Sequence, residues 1–240
     1  MRIRAIVLKK QNTNEYDQLV TFYSQERGKL VAIAKSILKK TSLQSMHLDN
    51  LNLVDFELIN GRAIPIVASA QSENVFRNIK SSILSLAVAN FFVDVFDKLV
   101  FENEKDEKLW KFLEELLCDL NNKSNYDRIK IIGYFREKQL QLLQTLGYSP
   151  KTDQCSICLT KVGSDCVDGE WALNINLGGL ICRNCFLLSN QGVLLKKSDL
   201  NILLNAKKED YPFRSSLDHI FEHMSDKPLK SLDFIYRVVK

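Results

Sequence analysis

The sequence predicts an α+β protein in which a small N-terminal β-barrel is followed by an α-helical bundle with an inserted four-cysteine module. Three observations predict this fold. Short β-branched runs separated by turns fill the first 72 residues, a helical period replaces them afterwards, and two C-x-x-C pairs follow the helices. The expected domains are residues 1–72 and residues 73–240, with the cysteine module at about residues 150–192.

Five short strands account for the predicted barrel. They are rich in β-branched residues, alternate in part, and are expected at residues 3–10, 17–24, 29–35, 51–59 and 63–70. The Asn60–Gly61 pair favours a tight hairpin between the last two strands, because both residues tolerate positive φ angles. An oligonucleotide-binding (OB) barrel has this strand count, and an SH3-like barrel fits it nearly as well.

Helical periodicity begins after Ser72. Long helices with apolar side chains three and four residues apart are expected at residues 74–100, 106–120 and 126–146. Gly147 and Pro150 then supply helix-stop signals. Short helices that begin near a capping residue or a proline are expected to complete the bundle at residues 196–208, 214–224 and 228–240.

The composition is typical of a soluble globular protein, with 45% hydrophobic and 26% charged residues. The most apolar stretch, residues 83–100, carries Asn90, Asp94 and Asp97, which favours a buried helix over a membrane span. The first residues lack the apolar run of a signal peptide. We therefore expect a cytoplasmic protein without a membrane partner, in a compartment where thiols stay reduced.

Positive charge is concentrated near the N-terminus. Residues 1–45 contain nine basic and three acidic side chains, a net charge of about +6, whereas the whole chain carries +4. This asymmetry indicates an anionic partner for the N-terminal segment. A solvated basic face without a partner is the alternative.

Four cysteines form two C-x-x-C pairs, a pattern that indicates a metal site. Zinc takes four tetrahedral ligands and thiolates suit it well, so one structural zinc ion is expected, bound by Cys155, Cys158, Cys182 and Cys185. Cys166 either replaces one of the four or is a small buried residue, as Cys118 is expected to be.

The sequence offers no good catalytic centre. A thioredoxin-type redox pair needs a βαβ context that is missing here. A zinc deaminase needs H-x-E and P-C-x-x-C motifs, and the sequence contains neither. Neither a G-x-S-x-G nucleophile motif nor a G-x-x-x-x-G-K-[ST] phosphate loop occurs. We expect a protein that is not an enzyme, with an undetected metal-dependent activity as the remaining enzymatic alternative.

Three motifs occur in order along the chain: NEYDQLVTFYSQERGKLVAIAK (residues 14–35), LLQTLGYSPKTDQCSIC (residues 142–158) and WALNINLGGLICRNC (residues 171–185). Together they resemble the RecO family of bacterial recombination mediators. They are similar to the second and third barrel strands, the approach to the first cysteine pair, and the second cysteine pair. Two features depart from the family: lysines replace arginines in KSILKK, and Leu159 stands where glycine is common.

The resemblance implies a non-enzymatic, nucleoid-associated protein of DNA repair and recombination. Proteins of this family bind single- and double-stranded DNA and anneal complementary strands. With RecR they promote RecA loading on single strands coated with single-strand binding protein (SSB), whose C-terminal tail they engage. The metal supports the fold and not the function. The competing hypothesis is a zinc-ribbon adaptor that binds proteins and not nucleic acid.

On this interpretation residues 1–72 form the DNA-binding domain. Basic side chains on the barrel track phosphates, and the candidate contacts are Lys9, Lys10, Arg27, Lys29, Lys35, Lys39 and Lys40. Tyr16, Phe22 or Tyr23 can offer base-stacking surfaces, although a place in the barrel core is the alternative for Phe22 and Tyr23.

Overall fold

The computed structural model describes residues 2–123, 126–163, 169–204, 214–225 and 227–239. The chain forms two compact units, one comprising Met1–Asn125 and Leu229–Lys240, the other Tyr126–Pro228. This grouping is not the division after residue 72 that the sequence suggests, and that domain boundary stays a prediction.

A closed five-stranded barrel opens the first unit. Its strands are β1 (Arg2–Asn12), β2 (Gln18–Ser24), β3 (Gly28–Ala34), β4 (Leu53–Ile59) and β5 (Ile66–Asn74). They pair in the order β1-β2-β3-β5-β4, and β1 closes the barrel against β4. Only the β3–β5 pair among them is parallel. The predicted five-stranded barrel is confirmed, and the strand order is that of an OB fold.

Apolar side chains fill the barrel. Phe22 of β2 and Phe56 of β4 stack at the centre, with ring centroids 4.3 Å apart. The turn between β2 and β3 depends on Gly28, whose φ is +68°. A Cβ atom there would lie 1.9 Å from the carbonyl oxygen of Glu104, so no larger residue fits this turn without moving its neighbour.

Eight helices lie in the described part of the chain after the barrel. They are α1 (Arg77–Ser81), α2 (Ile83–Leu99), α3 (Glu107–Asn122), α4 (Arg128–Thr145), α5 (Arg183–Ser189), α6 (Lys197–Leu203), α7 (Ser216–Met224) and α8 (Lys230–Val239). The first long helix expected from the sequence is divided at Ser82. This residue has an extended backbone, and its side-chain oxygen accepts a hydrogen bond from the Ser85 N–H, which begins α2.

Within the first unit, Tyr23 joins the barrel to the helices. Its ring is fully buried and contacts Phe96 of α2 and Trp110 of α3, with centroid distances of 5.0 and 6.4 Å. Burial raises the pKa of the Tyr23 hydroxyl, which therefore stays protonated. Arg4 of β1 reinforces the junction through an ion pair of 2.6 Å with Glu114 of α3.

The most apolar helix, α2, is buried among other elements of the first unit. Its acidic residues are paired: Asp94 accepts a hydrogen bond from the Ser231 hydroxyl on α8 at 2.6 Å, and Asp97 forms an ion pair with Lys9 at 3.1 Å. No helix in the described residues is long and apolar enough to cross a membrane.

The second unit contains α4 to α7 and a three-stranded sheet. The sheet strands are β6 (Trp171–Asn174), β7 (Gly179–Cys182) and β8 (Val193–Leu194), paired in the order β7-β6-β8. A buried ion pair joins Arg136 of α4 to Asp218 of α7, and the Gln139 amide donates to the same carboxylate at 3.0 Å. Asp218 also completes the capping box that begins α7.

We expect Asp218→Ala to lower the free energy of unfolding of the second unit by about 3–5 kcal/mol. The substitution removes the carboxylate paired with a buried guanidinium and also removes one half of a capping box. Urea unfolding followed by circular dichroism measures the effect. Glu222→Ala, an exposed carboxylate on the same helix, is the control and should change stability by about 0.5 kcal/mol or less. Equal stability of the two variants would contradict the assignment.

Candidate nucleic-acid interface and candidate metal centre

The loop between β1 and β2 is fixed by side-chain hydrogen bonds. The Asn14 Oδ1 atom accepts hydrogen bonds of 2.8 Å from the backbone N–H groups of both Tyr16 and Asp17. The Asp17 carboxylate accepts one from Asn14 Nδ2 at 3.0 Å and one from the Ser36 N–H at 2.7 Å. These bonds join the loop to the segment that follows β3.

The Asp17 carboxylate is held in its charged form. Hydrogen bonds from the Ser36 backbone N–H and from the Asn14 side chain lower its pKa, and the positive charges of Lys35 and Lys39 add to the effect. The sequence reasoning did not single out Asn14 or Asp17. Asn and Asp residues in a loop between two strands are the sequence signal for a turn of this kind, in which the side chain accepts hydrogen bonds from the backbone.

Three of the candidate lysines lie on the segment after β3. Lys35, Lys39 and Lys40 are exposed, and none of them forms an ion pair with another described residue. The Lys39 ammonium lies 5.2 Å from the ring centroid of Tyr16, which is half-exposed. We call Tyr16, Lys35, Lys39 and Lys40 the basic corner.

The other candidate residues lie elsewhere on the barrel. Lys9 and Lys10 form ion pairs of 3.1 and 2.9 Å with Asp97 and Asp49. The Lys29 side chain is buried, and its ammonium donates to the Asp97 carbonyl oxygen at 2.8 Å.

Arg27 is exposed in the turn before β3, at the opposite end of that strand from Lys35. A seven-residue strand spans about 20 Å, so the structure does not bring Arg27 and Lys35 together.

Of the three aromatic candidates, Tyr16 alone is available to a base. Phe22 and Tyr23 are both fully buried, the first in the barrel core and the second against the helices. Strand alternation places them on opposite faces of β2, but the outer face is covered by α2 and α3. Their interpretation as stacking surfaces is therefore wrong.

Four cysteines of the second unit lie together and can hold a metal ion. The sulfur atoms of Cys155, Cys158, Cys182 and Cys185 all lie within 4.8 Å of one another. Two of them, Cys158 Sγ and Cys182 Sγ, are 3.6 Å apart. Four thiolates at about 2.3 Å from zinc would be about 3.8 Å apart, so the cluster fits a tetrahedral ion.

The β6–β7 hairpin places the second cysteine pair beside the first. Its turn ends at Gly178, whose φ is +66°, and Gly179 lies against Lys151, where a Cβ would be 2.7 Å from the carbonyl oxygen. The Ser156 N–H donates to the Leu180 carbonyl at 2.8 Å. This hairpin and its contacts with residues 151 and 156 bring the two halves of the cysteine module together.

The thiols differ in acidity according to their surroundings. A hydrogen bond from the Thr160 hydroxyl, with a second from the Thr160 backbone, lowers the pKa of Cys158 to about 6. Burial, followed by the neighbouring sulfurs of Cys158 and Cys182, raises the pKa of Cys185 to about 12. A cation among the four sulfurs would stabilise the thiolate form of this last cysteine and offset the effect of burial.

The sequence contains two further cysteines, Cys118 and Cys166. Cys118 is exposed on α3, so the expectation that it is buried is wrong. Cys166, the possible substitute ligand, lies outside the described residues.

Family models match nearly the whole chain. The model described as Recombination protein O N terminal matches residues 1–76, and the one described as Recombination protein O C terminal matches residues 80–233. The chain belongs to the RecO family.

Curated RecO proteins are similar over most of this length. DNA repair protein RecO of Syntrophomonas wolfei is 27% identical over 85% of this chain and 77% of its own. The RecO protein of Desulforamulus reducens is 24% identical over 100% of this chain and 95% of its own. The RecO protein of Caldanaerobacter subterraneus is 24% identical over 95% of this chain and 89% of its own. The protein is therefore a RecO-family DNA repair protein.

Leu159 has a backbone conformation with a physical cost. It follows the first cysteine pair with a φ of +63°, in the left-handed region, and its side chain is exposed. A residue with a Cβ is disfavoured there, whereas glycine is not. A glycine would suit this backbone better than the leucine present here.

We expect Leu159→Gly to stabilise the cysteine module by about 1 kcal/mol, because relief of the left-handed strain exceeds the entropy that glycine adds to the unfolded chain. The midpoint of urea unfolding measures the change. Leu159→Ala is the matched control, since alanine keeps the Cβ and should leave the midpoint close to that of the wild type. A lower midpoint for the glycine variant would show that the leucine side chain matters more than the backbone.

Proposed function

We propose that this RecO-family protein is a non-enzymatic mediator that binds DNA at the basic corner of its barrel. The observation that supports this proposal most directly is the set of three exposed lysines, without ion pairs among the described residues, beside a half-exposed tyrosine. Lysine ammonium groups bind phosphates as point charges. They therefore hold single- or double-stranded DNA without reading its sequence.

Contacts of this kind suit strand annealing. A protein that holds strands through their phosphates leaves the pairing edges of the bases free, so two complementary strands can meet while bound. Lys9, Lys10 and Lys29 are engaged within the protein, so a phosphate that binds them has to compete with Asp97, Asp49 and a backbone carbonyl oxygen. Lys35, Lys39 and Lys40 supply the direct contacts, and Arg27 extends them to the far end of β3.

The membership of the RecO family supports the proposed protein partners. We propose that the protein acts with RecR to load RecA on single strands coated with SSB, and that it engages the C-terminal tail of SSB. RecA is then an indirect partner. The protein's place of action is the cytoplasm, at the nucleoid.

The four-cysteine cluster is proposed to hold one structural zinc ion. Four thiolates complete a tetrahedral ligand set, so no position remains for a water molecule or a substrate. When bound, the zinc ion cross-links the two C-x-x-C turns and supplies folding energy to the module. We assign DNA binding to the barrel and not to this cluster.

We expect a triple alanine variant of Lys35, Lys39 and Lys40 to lose at least about tenfold in single-strand affinity, because three phosphate contacts are removed. Annealing of SSB-coated complementary strands should fall in parallel, and a fluorescence-transfer assay measures both. A triple alanine variant of Lys105, Lys108 and Lys111 changes the net charge equally and is expected to behave as the wild type. If the first variant annealed normally, the protein-binding adaptor would be the better hypothesis.

Purified protein is expected to contain about one zinc per chain. Cys158→Ser should lose most of this metal and chelation should unfold the module, because the site contributes folding energy. Metal analysis and circular dichroism are the measurements. Cys118→Ser, the substitution of an exposed cysteine outside the cluster, should retain full metal content. Less than about half an equivalent of zinc together with full stability in chelator would rule out a structural zinc site.

A further inference from the structure

Tyr16 is unusual among the barrel aromatics because it is exposed. Half of its surface (50%) is accessible, whereas Phe22, Tyr23 and Phe56 are all at most 1% exposed. An aromatic ring of this size left in solvent has no role in the barrel core. Its position on a hydrogen-bonded loop beside exposed lysines suits a ligand that has both an apolar face and a negative charge.

The backbone around Tyr16 is held before any ligand binds. Its N–H donates to Asn14 Oδ1 at 2.8 Å and its carbonyl oxygen accepts from the Leu38 N–H at 3.0 Å. Asp17, the next residue, is bonded to the Ser36 N–H at 2.7 Å. A ring presented by a fixed loop loses little conformational entropy when it binds, which favours its use as a contact.

The space beside the ring is open and has the size of a small ligand. A surface cavity of about 500 Å³ is lined by Asn14, Glu15, Tyr16, Asp17, Lys35 and Ser36. Lys39 lies over the Tyr16 ring at 5.2 Å from its centroid, a cation–π contact. A base stacked on this ring would therefore have ammonium groups close by to receive its phosphate.

We propose that Tyr16 is a base-stacking platform that makes the basic corner prefer unpaired DNA to duplex. This inference rests on the proposed DNA binding and adds to it the selection of strand type. Bases in a duplex are stacked on their own neighbours and must be unstacked before they reach the ring. A base in a single strand reaches it at little cost, and aromatic stacking tolerates any base.

The lysines cannot supply this preference by themselves. Ammonium groups bind the phosphates of either form, and a duplex carries a higher density of charge. With Phe22 and Tyr23 buried, the described part of the barrel offers no second exposed aromatic ring beside the lysines. Loss of Tyr16 is thus expected to remove selectivity while leaving charge-driven binding in place.

The test compares Tyr16→Leu with Tyr16→Phe in the full-length protein. Leucine keeps an apolar side chain without a ring, and phenylalanine keeps the ring. The probes are a short oligothymidine that carries one 2-aminopurine and a blunt duplex of the same length. We expect Tyr16→Leu to lose about five- to tenfold in single-strand affinity and about twofold or less in duplex affinity. We expect the wild type and Tyr16→Phe to quench the 2-aminopurine fluorescence, and Tyr16→Leu not to quench it.

Tyr148→Leu is the matched control, because Tyr148 is also an exposed tyrosine (59%) but lies in the second unit. It should bind both probes as the wild type does. Single-strand affinity and quenching that are unchanged in Tyr16→Leu would overturn the stacking role, and so would equal losses on both probes, which would indicate that Tyr16 only positions the loop. If the wild type bound neither probe, the proposed DNA binding itself would fail, a result separate from these two.

Discussion

The antiparallel pairing of β2 with both β1 and β3 is the constraint on which the proposed interface depends. Strand β1 must pair with β2 on one side and with β4 on the other, and its register shift between Val7 and Lys9 gives it the necessary bend. In the closed barrel Gln18 is opposite both Asn12 of β1 and Ala34 of β3. The β1–β2 loop and the segment after β3 therefore meet at one end, although some twenty residues separate them in sequence.

Packing of α2 against the barrel engages some of the basic residues and leaves others exposed. Those that point from the barrel towards the helices of the first unit, Lys9 and Lys29, meet Asp97 and help to join the barrel to α2. Those on the segment beyond β3 are exposed. Positive charge that the sequence presents as one N-terminal cluster thus serves both the stability of the fold and the proposed contact with phosphates.

Much of the fold could be read from local patterns, because strand alternation, helical period and cysteine spacing are properties of short segments. The five-stranded barrel and the four-cysteine cluster are predicted in this way. The pairing of Lys29 with Asp97 was not, since it depends on where α2 packs. The same is true of Tyr23, whose burial requires α2 and α3 to cover the outside of β2. Long-range packing is the information that these patterns lack.

The central claim, that Lys35, Lys39 and Lys40 hold DNA by its phosphates, is tested most directly by the salt dependence of single-strand binding. Each phosphate contact contributes about 0.7 to the slope of log affinity against log salt concentration. Replacement of the three lysines by alanine should therefore reduce the magnitude of the slope by about 2 relative to the wild type. A wild-type slope near zero, or the same slope in both proteins, would contradict the account.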